Sequence, residues 1–272
     1  MLKDCPTRCT LPAQDMIRAR AFYEQKLGLL AVEEFPDGGV NYDAGGTRIT
    51  VFPSQVRPLG HHTQLGFDVQ DIRAVIQDLE DKGVRFEDYE YFNFKTDGHL
   101  VNIAPYNCGW FRDSEGNSLA IWEADSAPPG NGMMMLRDCT AGTNLPAHDM
   151  KGARRFYEQM LGLEALEEFA DGGVAYEAGA TQFTVSPTTV TPSREHTQIA
   201  FDVQDVQAEM LSLEHAGVVF DDYVRPESKR TRDVGSTGGL KVARFKDSEG
   251  NRLSLVEGVR TAAGSSKARQ AS

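Results

Sequence analysis

The sequence is short of the features that mark several broad classes of protein. Four cysteines in 272 residues do not make a disulfide framework, and none stands in a Cys-x-x-Cys pair or beside histidines at metal-ligand spacing. Buried free thiols are expected instead. No apolar run approaches the length of a membrane span, and the opening MLKDCPTRCT lacks the apolar core of a signal peptide, so a cytoplasmic location is expected. Positive charge is scarce: 28 basic against 40 acidic residues leave a net charge of -12. That balance offers no basic face for a phosphate backbone and argues against a nucleic-acid partner. Gly-rich phosphate loops of the GxGxxG kind are missing, as are Ser-His-Asp and Cys-His arrangements at the spacing of known nucleophile families. What remains is ordinary globular composition, 40% hydrophobic and 25% charged, long enough for about two domains.

What the chain does have is a repeat. HTQLGFDVQD at residues 62–71 returns as HTQIAFDVQD at residues 196–205, an offset of 134. The same offset aligns LKDC with LRDC, LPAQDM with LPAHDM, AFYEQKLGL with RFYEQMLGL, EEFPDGGVNYDAG with EEFADGGVAYEAG, and FRDSEGNSLAIWE with FKDSEGNRLSLVE. A constant offset means that the copies differ by substitution and hardly at all by insertion. The Pro-Pro-Gly-Asn-Gly composition of residues 125–136 marks a linker between a first domain, 1–124, and a second, 137–259. Residues 260–272 lack any apolar period and read as a disordered tail.

Within a copy the pattern runs strand, helix and three short strands, and then restarts. CTLPA reads as a strand, Asp15 as an N-cap, MIRARAFYEQKL as a helix and Gly28 as its C′ glycine. LLAVEEF, GGVNYDAG and TRITVFP follow as short strands. TQLGFDV opens the second round, with Asp71 capping the helix IRAVIQDLEDK, Gly83 ending it, and VRFEDY, CGWFRD and SLAIWE as closing strands. Each copy is thus two βαβββ units, an α+β arrangement.

This order, together with FYEQxLGL after an Asp-capped helix start, TQxxFDVxD and F(R/K)DSEGNxL, resembles the vicinal oxygen chelate superfamily. That superfamily includes glyoxalase I, extradiol dioxygenases, fosfomycin-modifying enzymes and bleomycin-resistance binding proteins. The resemblance implies two glyoxalase-like domains in a single-chain pseudo-dimer, with sheets curled around concave pockets. It also implies the places where the enzymes hold a divalent metal. The first-strand place, seven residues before the helix cap, falls on Arg8 and Gly142; the fifth-strand place falls on Gln64 and Gln198. The eighth-strand place falls on Ala120 and Ser254, and the fourth-strand place near Thr50 and Thr184. None of these is His or a carboxylate, so neither a metal nor another cofactor is expected there.

Several polar residues keep two readings. His62 and His196 are acid/base groups or displaced ligands, or else satisfy a loop carbonyl at the rim. Gln64 and Gln198 point into the implied pocket as substrate-binding amides or as a satisfied polar core. Arg8, if buried, pairs with Glu33, Asp43 or another local carboxylate, or binds an anionic ligand group. Glu123 and Glu257 sit three residues beyond the ligand position and read as solvated strand ends. The copies diverge most before the closing hairpin. There the first carries Tyr91, Phe92, Phe94, Tyr106 and Trp110 while the second is basic and Gly-rich, as though one half of a site offered aromatic surface and the other charge.

The resulting expectation is a metal-independent binding protein of the bleomycin-resistance kind for an antibiotic or secondary metabolite, possession of an aromatic ligand being favoured by the loop. The alternatives are an enzyme on the same scaffold, of lyase, isomerase or dioxygenase-like type, acting either without metal through Arg8, His62 and Gln64 or with a non-standard metal site, and a structural or regulatory module with a filled pocket. The expected ligand contacts are Arg8, Thr50, His62, Gln64, Phe92, Phe94, Trp110, Trp122, His196 and Gln198. The expected partner is a small molecule, with the chain a monomer carrying an internal pseudo-dimer or assembling into a higher oligomer.

Overall fold

The computed structural model describes residues 2–55, 62–91, 94–103, 106–124, 136–189, 196–221, 235–237 and 240–257. The expected linker and tail lie outside the described residues except at Leu136, which opens a short 3-10 turn, Leu136–Asp138.

The four βαβββ units are present. The first runs β1 (Thr7–Ala13), α1 (Met16–Arg20, continued as a π-helix over Ala21–Lys26), β2 (Leu30–Glu34), β3 (Val40–Ala44) and β4 (Thr47–Pro53). The second begins with β5 (Leu65–Asp68), α2 (Ile72–Asp81) and β6 (Phe86–Glu87). It adds a small hairpin, β7 (Glu90–Tyr91) and β8 (Phe94–Lys95), and then β9 (Val101–Ile103), β10 (Tyr106–Arg112) and β11 (Ser118–Ala124). The third has β12 (Ala141–Ala147), α3 (Met150–Arg154, continued over Arg155–Met160), β13 (Glu164–Glu168), β14 (Val174–Ala178) and β15 (Thr181–Pro187). The fourth has β16 (Thr197–Asp202), α4 (Val206–His215), β17 (Gly235–Thr237), β18 (Leu240–Lys246) and β19 (Arg252–Glu257). Asp15, Asp71 and Asp205 cap their helices by accepting backbone N–H groups, whereas Asp149 makes no side-chain cap. Among the described residues no helix is long and apolar enough to cross a membrane.

The sheets do not follow the boundaries of the copies. One eight-stranded sheet runs β17-β18-β19-β16-β1-β4-β3-β2, which joins the first unit to the fourth. The other runs β13-β14-β15-β12-β5-β11-β10-β6, which joins the third unit to the second, with β9 paired to β10. The joins are antiparallel: Arg8 lies opposite Ala200 where β1 meets β16, and Gly142 opposite Gly66 where β12 meets β5.

The apolar cores, by contrast, follow the copies closely. α1 packs on β4 of one sheet and α2 on β10 and β11 of the other, enclosing a core drawn from Cys9 to Ile121 plus Leu136, Cys139 and Ala141. The second core is drawn from Leu145 to Leu255 plus Leu2. Each copy therefore encloses its own core between two sheets, and each sheet is shared between the copies. The 3-10 turn before each copy crosses over: Leu2 N–H donates to Leu161 O, and Gly45 N–H to Arg137 O, at 3.0 and 2.9 Å. Gly45 has positive φ, and a Cβ there would lie 2.5 Å from Cys139 O, so this crossing needs glycine.

A repeated side-chain bolt fixes the closing hairpin to the first strand and helix. Tyr23 Oη–H donates to Asp113 Oδ2 at 2.6 Å, and Asn117 Nδ2 donates to the same oxygen and to Pro12 O. Asp113 Oδ1 accepts the backbone N–H of Glu115 and Asn117. Tyr157, Asp247, Asn251 and Pro146 repeat the arrangement. This explains why the DSEGN turn is kept in both copies: it is structural.

Candidate functional site

With the helices on one face of each sheet, the other face is left to line a cavity. Strand alternation decides what stands there. On β1, Cys9 and Leu11 belong to the core, so Arg8 and Thr10 face the cavity. The first cavity, ≈ 260 Å³, spans the eight-stranded sheet and is lined by Arg8, Thr50, Arg244, Ser254 and the apolar Leu240 and Val256, among others. The second, ≈ 270 Å³, lies on the other sheet and is lined by Tyr106, Cys108, Trp122, Gly142, Phe169 and Thr184, among others. The lists match at the offset of 134: Arg8 with Gly142, Thr50 with Thr184, Leu240 with Tyr106, and Val256 with Trp122.

Three strand rows explain how the cavities diverge. In the first sheet Arg48, Arg8, Ala200, Ser254 and Arg244 are successive register partners across β4, β1, β16, β19 and β18. In the second sheet the row reads Gly142, Gly66, Ala120 and Trp110. A neighbouring row of the first sheet, Glu33, Asn41, Thr50 and Thr10, is hydrogen-bonded: Thr50 Oγ1–H donates to Asn41 Oδ1 at 2.5 Å, and Asn41 Nδ2 to Glu33 Oε2 at 2.8 Å. One cavity wall therefore carries two arginines, Arg8 and Arg244, where the other has Gly142 and the aromatic Tyr106 and Trp122. Among the described residues the aromatic and charged halves do not meet in one site: pairing across copies sends Tyr106 and Trp122 to one cavity and Arg8 and Arg244 to the other, while residues 222–234 and 238–239 of the basic loop lie outside the described residues.

Arg8 is 2% exposed, and its Nη2 stands 2.5 Å from Asp202 Oδ1. The partner is neither Glu33 nor Asp43, which the sequence offered, but a carboxylate of the other copy brought in by the β1–β16 pairing. Burial pulls the Arg8 guanidinium below its ordinary pKa, and Asp202 and Glu33 oppose that shift. Burial likewise raises the Asp202 carboxyl, with Arg8 and Arg48 acting against it.

The polar trio repeated as HTQ stands elsewhere. His62, Gln64, His196 and Gln198 are buried and do not appear in either cavity wall. Gln64 Nε2 lies 2.9 Å from His196 Nε2, and Gln198 Nε2 lies 3.2 Å from His62 Nε2. Each pair bridges one sheet to the other, so the four groups stitch the seam between them. β16 carries a bulge at Gln198, so that Thr197 takes the cavity-lining place. Gln64 is further held by its Oε1, which accepts Ser118 N–H at 3.1 Å. His196 is pushed down to about 4, first by burial, then by the neighbouring His62 and by Arg252.

The remaining sequence candidates divide as follows. Thr50 and Trp122 line cavities; Trp110 does not, its Nε1–H donating to Thr63 Oγ1 at 3.0 Å while its ring meets Tyr89 edge-on. Phe92 lies outside the described residues, as does the side chain of Phe94. Glu257 ends β19 partly exposed; its Oε2 accepts Val206 N–H at the start of α4, and Oε1 pairs with Lys241. Sequence reading missed Phe35 and Phe169, which line the two cavities from the turn after β2 and after β13. The signal was present in the shared phrase EEFxDGG, which read only as a hairpin. None of the four cysteines is in a disulfide; burial drives the Cys9 thiol up to about 12 and Cys139 to about 11.

A divalent metal of the kind the superfamily's enzymes use needs converging imidazole or carboxylate donors. The corresponding positions are Arg8, Thr50 and Ser254 in one cavity wall, Gly142 and Thr184 in the other, and Ala120, which has no donor, while both glutamines are engaged at the seam. Among the described residues no group of three or more His, Cys, Asp or Glu is placed to hold a metal ion. The donor set does not fit the metal.

Comparison with known proteins agrees with this architecture. The family model described as Glyoxalase/Bleomycin resistance protein/Dioxygenase superfamily matches twice, over residues 6–121 and 140–255. Among curated proteins none matches the chain. Glyoxalase I from Zea mays has a similar structure, with TM-score 0.60 and 13% identity over 92% of each chain. A proposed dioxygenase from Bacillus subtilis subsp. subtilis str. 168 gives TM-score 0.59 and 17% identity over 94% of this chain and 86% of its own. At such identities the likeness is one of fold. With both copies matched and the cross-paired sheets in place, the chain belongs to the Glyoxalase/Bleomycin resistance protein/Dioxygenase superfamily.

Proposed function

We propose that the chain is a metal-independent binding protein, cytoplasmic, that sequesters a small antibiotic or secondary metabolite in the manner of the bleomycin-resistance branch. The observation that carries this reading is the wall itself. Where relatives are expected to hold metal ligands, Arg8, Thr50 and Ser254 stand in one cavity wall and Gly142 and Thr184 in the other, among apolar side chains and a few further polar groups. Such walls bind and orient a ligand through shape, apolar contact and a few polar groups.

Trp122 lines the second cavity and reports on its occupancy. Titration of planar metabolites against the tryptophan fluorescence, with thermal shift in parallel, is expected to give saturable quenching and a raised Tm for some members of the panel. Complete absence of both responses would remove the binding reading. The competing reading, an enzyme without the usual metal, draws on Asp202, whose carboxyl is raised by burial beside Arg8. NMR of a bound ligand during prolonged incubation separates the two, since sequestration returns the ligand unchanged.

A further inference from the structure

Charge divides the two cavities, and the division identifies a ligand class for one of them. We propose that the cavity of the eight-stranded sheet takes a small organic monocarboxylate, its carboxylate docked on Arg8 and its apolar body laid along Leu240, Val242 and Val256. This deepens the binding reading above and rests on it.

The argument begins with the unused hydrogen-bonding capacity of Arg8. The side chain is 2% exposed and lines the cavity, yet Nε and Nη1 have no hydrogen-bond partner. Among the described residues its one ion pair is with Asp202, through Nη2. A guanidinium presents five donors in a planar fork suited to two parallel bonds with a carboxylate, and it stays charged. A buried fork with donors left over is costly unless a further acceptor reaches it. The cavity is where that acceptor has room to arrive.

The surroundings set the rest of the ligand. Ala200, Val242 and Val256 form a small apolar cluster on the same sheet, with Leu240 packed against it. Ser254 and Arg244 continue the Arg8 row across β19 and β18, so a second polar group on the ligand has somewhere to go. Among the described residues Asp37 is the one carboxylate in the cavity lining, and its Oδ1 is engaged by Gly39 N–H at 3.0 Å. An apolar body with a single planar anion fits this wall, while a cationic ligand would face Arg8 and Arg244.

The second cavity serves as an internal control. Gly142 replaces Arg8, and a Cβ built there meets nothing within 4 Å. Asp68 stands at the place equivalent to Asp202. Hence an arginine can be introduced into a cavity whose wall carries none.

The test uses 2-naphthoate and its neutral isostere 2-naphthamide as probes of the full chain, by calorimetric titration with tryptophan fluorescence. The wild type is expected to prefer the carboxylate by about tenfold to a hundredfold, the range expected for hydrogen bonds to a charged group. Arg8→Gln is expected to abolish that preference while naphthamide still quenches Trp122. Because Arg8→Gln also leaves Asp202 buried without its partner and can lose the fold, Gly142→Arg provides a second arm with Arg8 intact. It is expected to raise naphthoate stoichiometry from one to two per chain. Equal affinity of the wild type for the two probes, or an undiminished preference in folded Arg8→Gln, overturns the proposal. An unchanged stoichiometry in Gly142→Arg overturns it as well. If naphthamide still quenches Trp122 in those cases, the anion site fails and the binding reading stands. If neither probe binds at all, the anion site falls, and the broader metabolite panel decides the binding reading.

Discussion

Gly66 is a position where a single methyl group has no room. A Cβ there would lie 1.7 Å from Trp122 Cζ3, so the indole lies against the bare backbone of β5. At the equivalent places the other sheet has Ala200 and Val256. The two pairs are volume-compensated, small beside large and larger beside smaller, which is how a packed wall is re-cut without strain. Gly66→Ala is expected to destabilise by roughly 1–3 kcal/mol and to displace Trp122. Adding Trp122→Val should recover most of that loss. Urea melts of the single and double variants check this, and strict additivity would contradict the contact.

His196 gives a pH signature at the same scale. Its folded-state pKa of about 4 lies below the ordinary 6.5, so between those values the unfolded chain takes up a proton that the folded chain refuses. Stability is therefore full above about pH 6.5 and falls as pH drops toward 4, by on the order of 3 kcal/mol. His196→Gln, which removes that proton, should flatten the decline relative to wild type. Denaturant midpoints measured from pH 7 to 4 test it, and parallel curves for the two proteins would show that His196 is not the source.

At the scale of elements, the Asp113 bolt ties the β10–β11 hairpin to α1 and β1 through five hydrogen bonds from Tyr23, Asn117 and the backbone of its own turn. Asp113→Ala strips the acceptor from four of them within a buried site, for an expected loss of roughly 3–5 kcal/mol. The same substitution at Asp247 should cost about as much in the second copy. A loss below 1 kcal/mol at both sites, by chemical denaturation, would contradict the role of the bolt.

Much of this level was legible in the sequence. Asp15 and Asp71 announced their helices, the glycines their ends, and DSEGN its turn, because each acts within a few residues of chain. The bulge at Gln198 was not legible: strand alternation counts positions and has no term for an extra residue. Nor was the pairing of Gln64 with His196, since the two are 132 residues apart and meet only because two sheets abut. Arg8 was recognised as a buried charge in need of a partner, but its carboxylate came from the copy that local reasoning did not search. Phe35 and Phe169 were passed over because a hairpin motif gave them a sufficient reason to exist.

For the whole molecule, the offset of 134 disclosed four units without disclosing which pairs of units share a sheet. Cores within copies and sheets between copies make the two halves mutually dependent. Expressed alone, residues 1–124 would leave the joining edges of β1 and β5 unpaired, and exposed strand edges seek partners. Light scattering is expected to find that fragment self-associated; a folded monomer would mean that the cross-pairing is dispensable. The interlock also explains how one chain carries two unlike cavities. Each wall draws on both copies, so substitutions in the fourth unit and in the first change the same site while leaving the other intact.

The central claim is that these cavities bind small molecules without a divalent metal. Its most direct test is ligand titration of chelator-stripped protein, with metal content measured by mass spectrometry before and after stripping. The expected result is saturable binding that neither removal of metal nor added zinc, nickel, iron or manganese alters. Stoichiometric metal in the purified protein, with binding lost on stripping and restored by that metal, would contradict it.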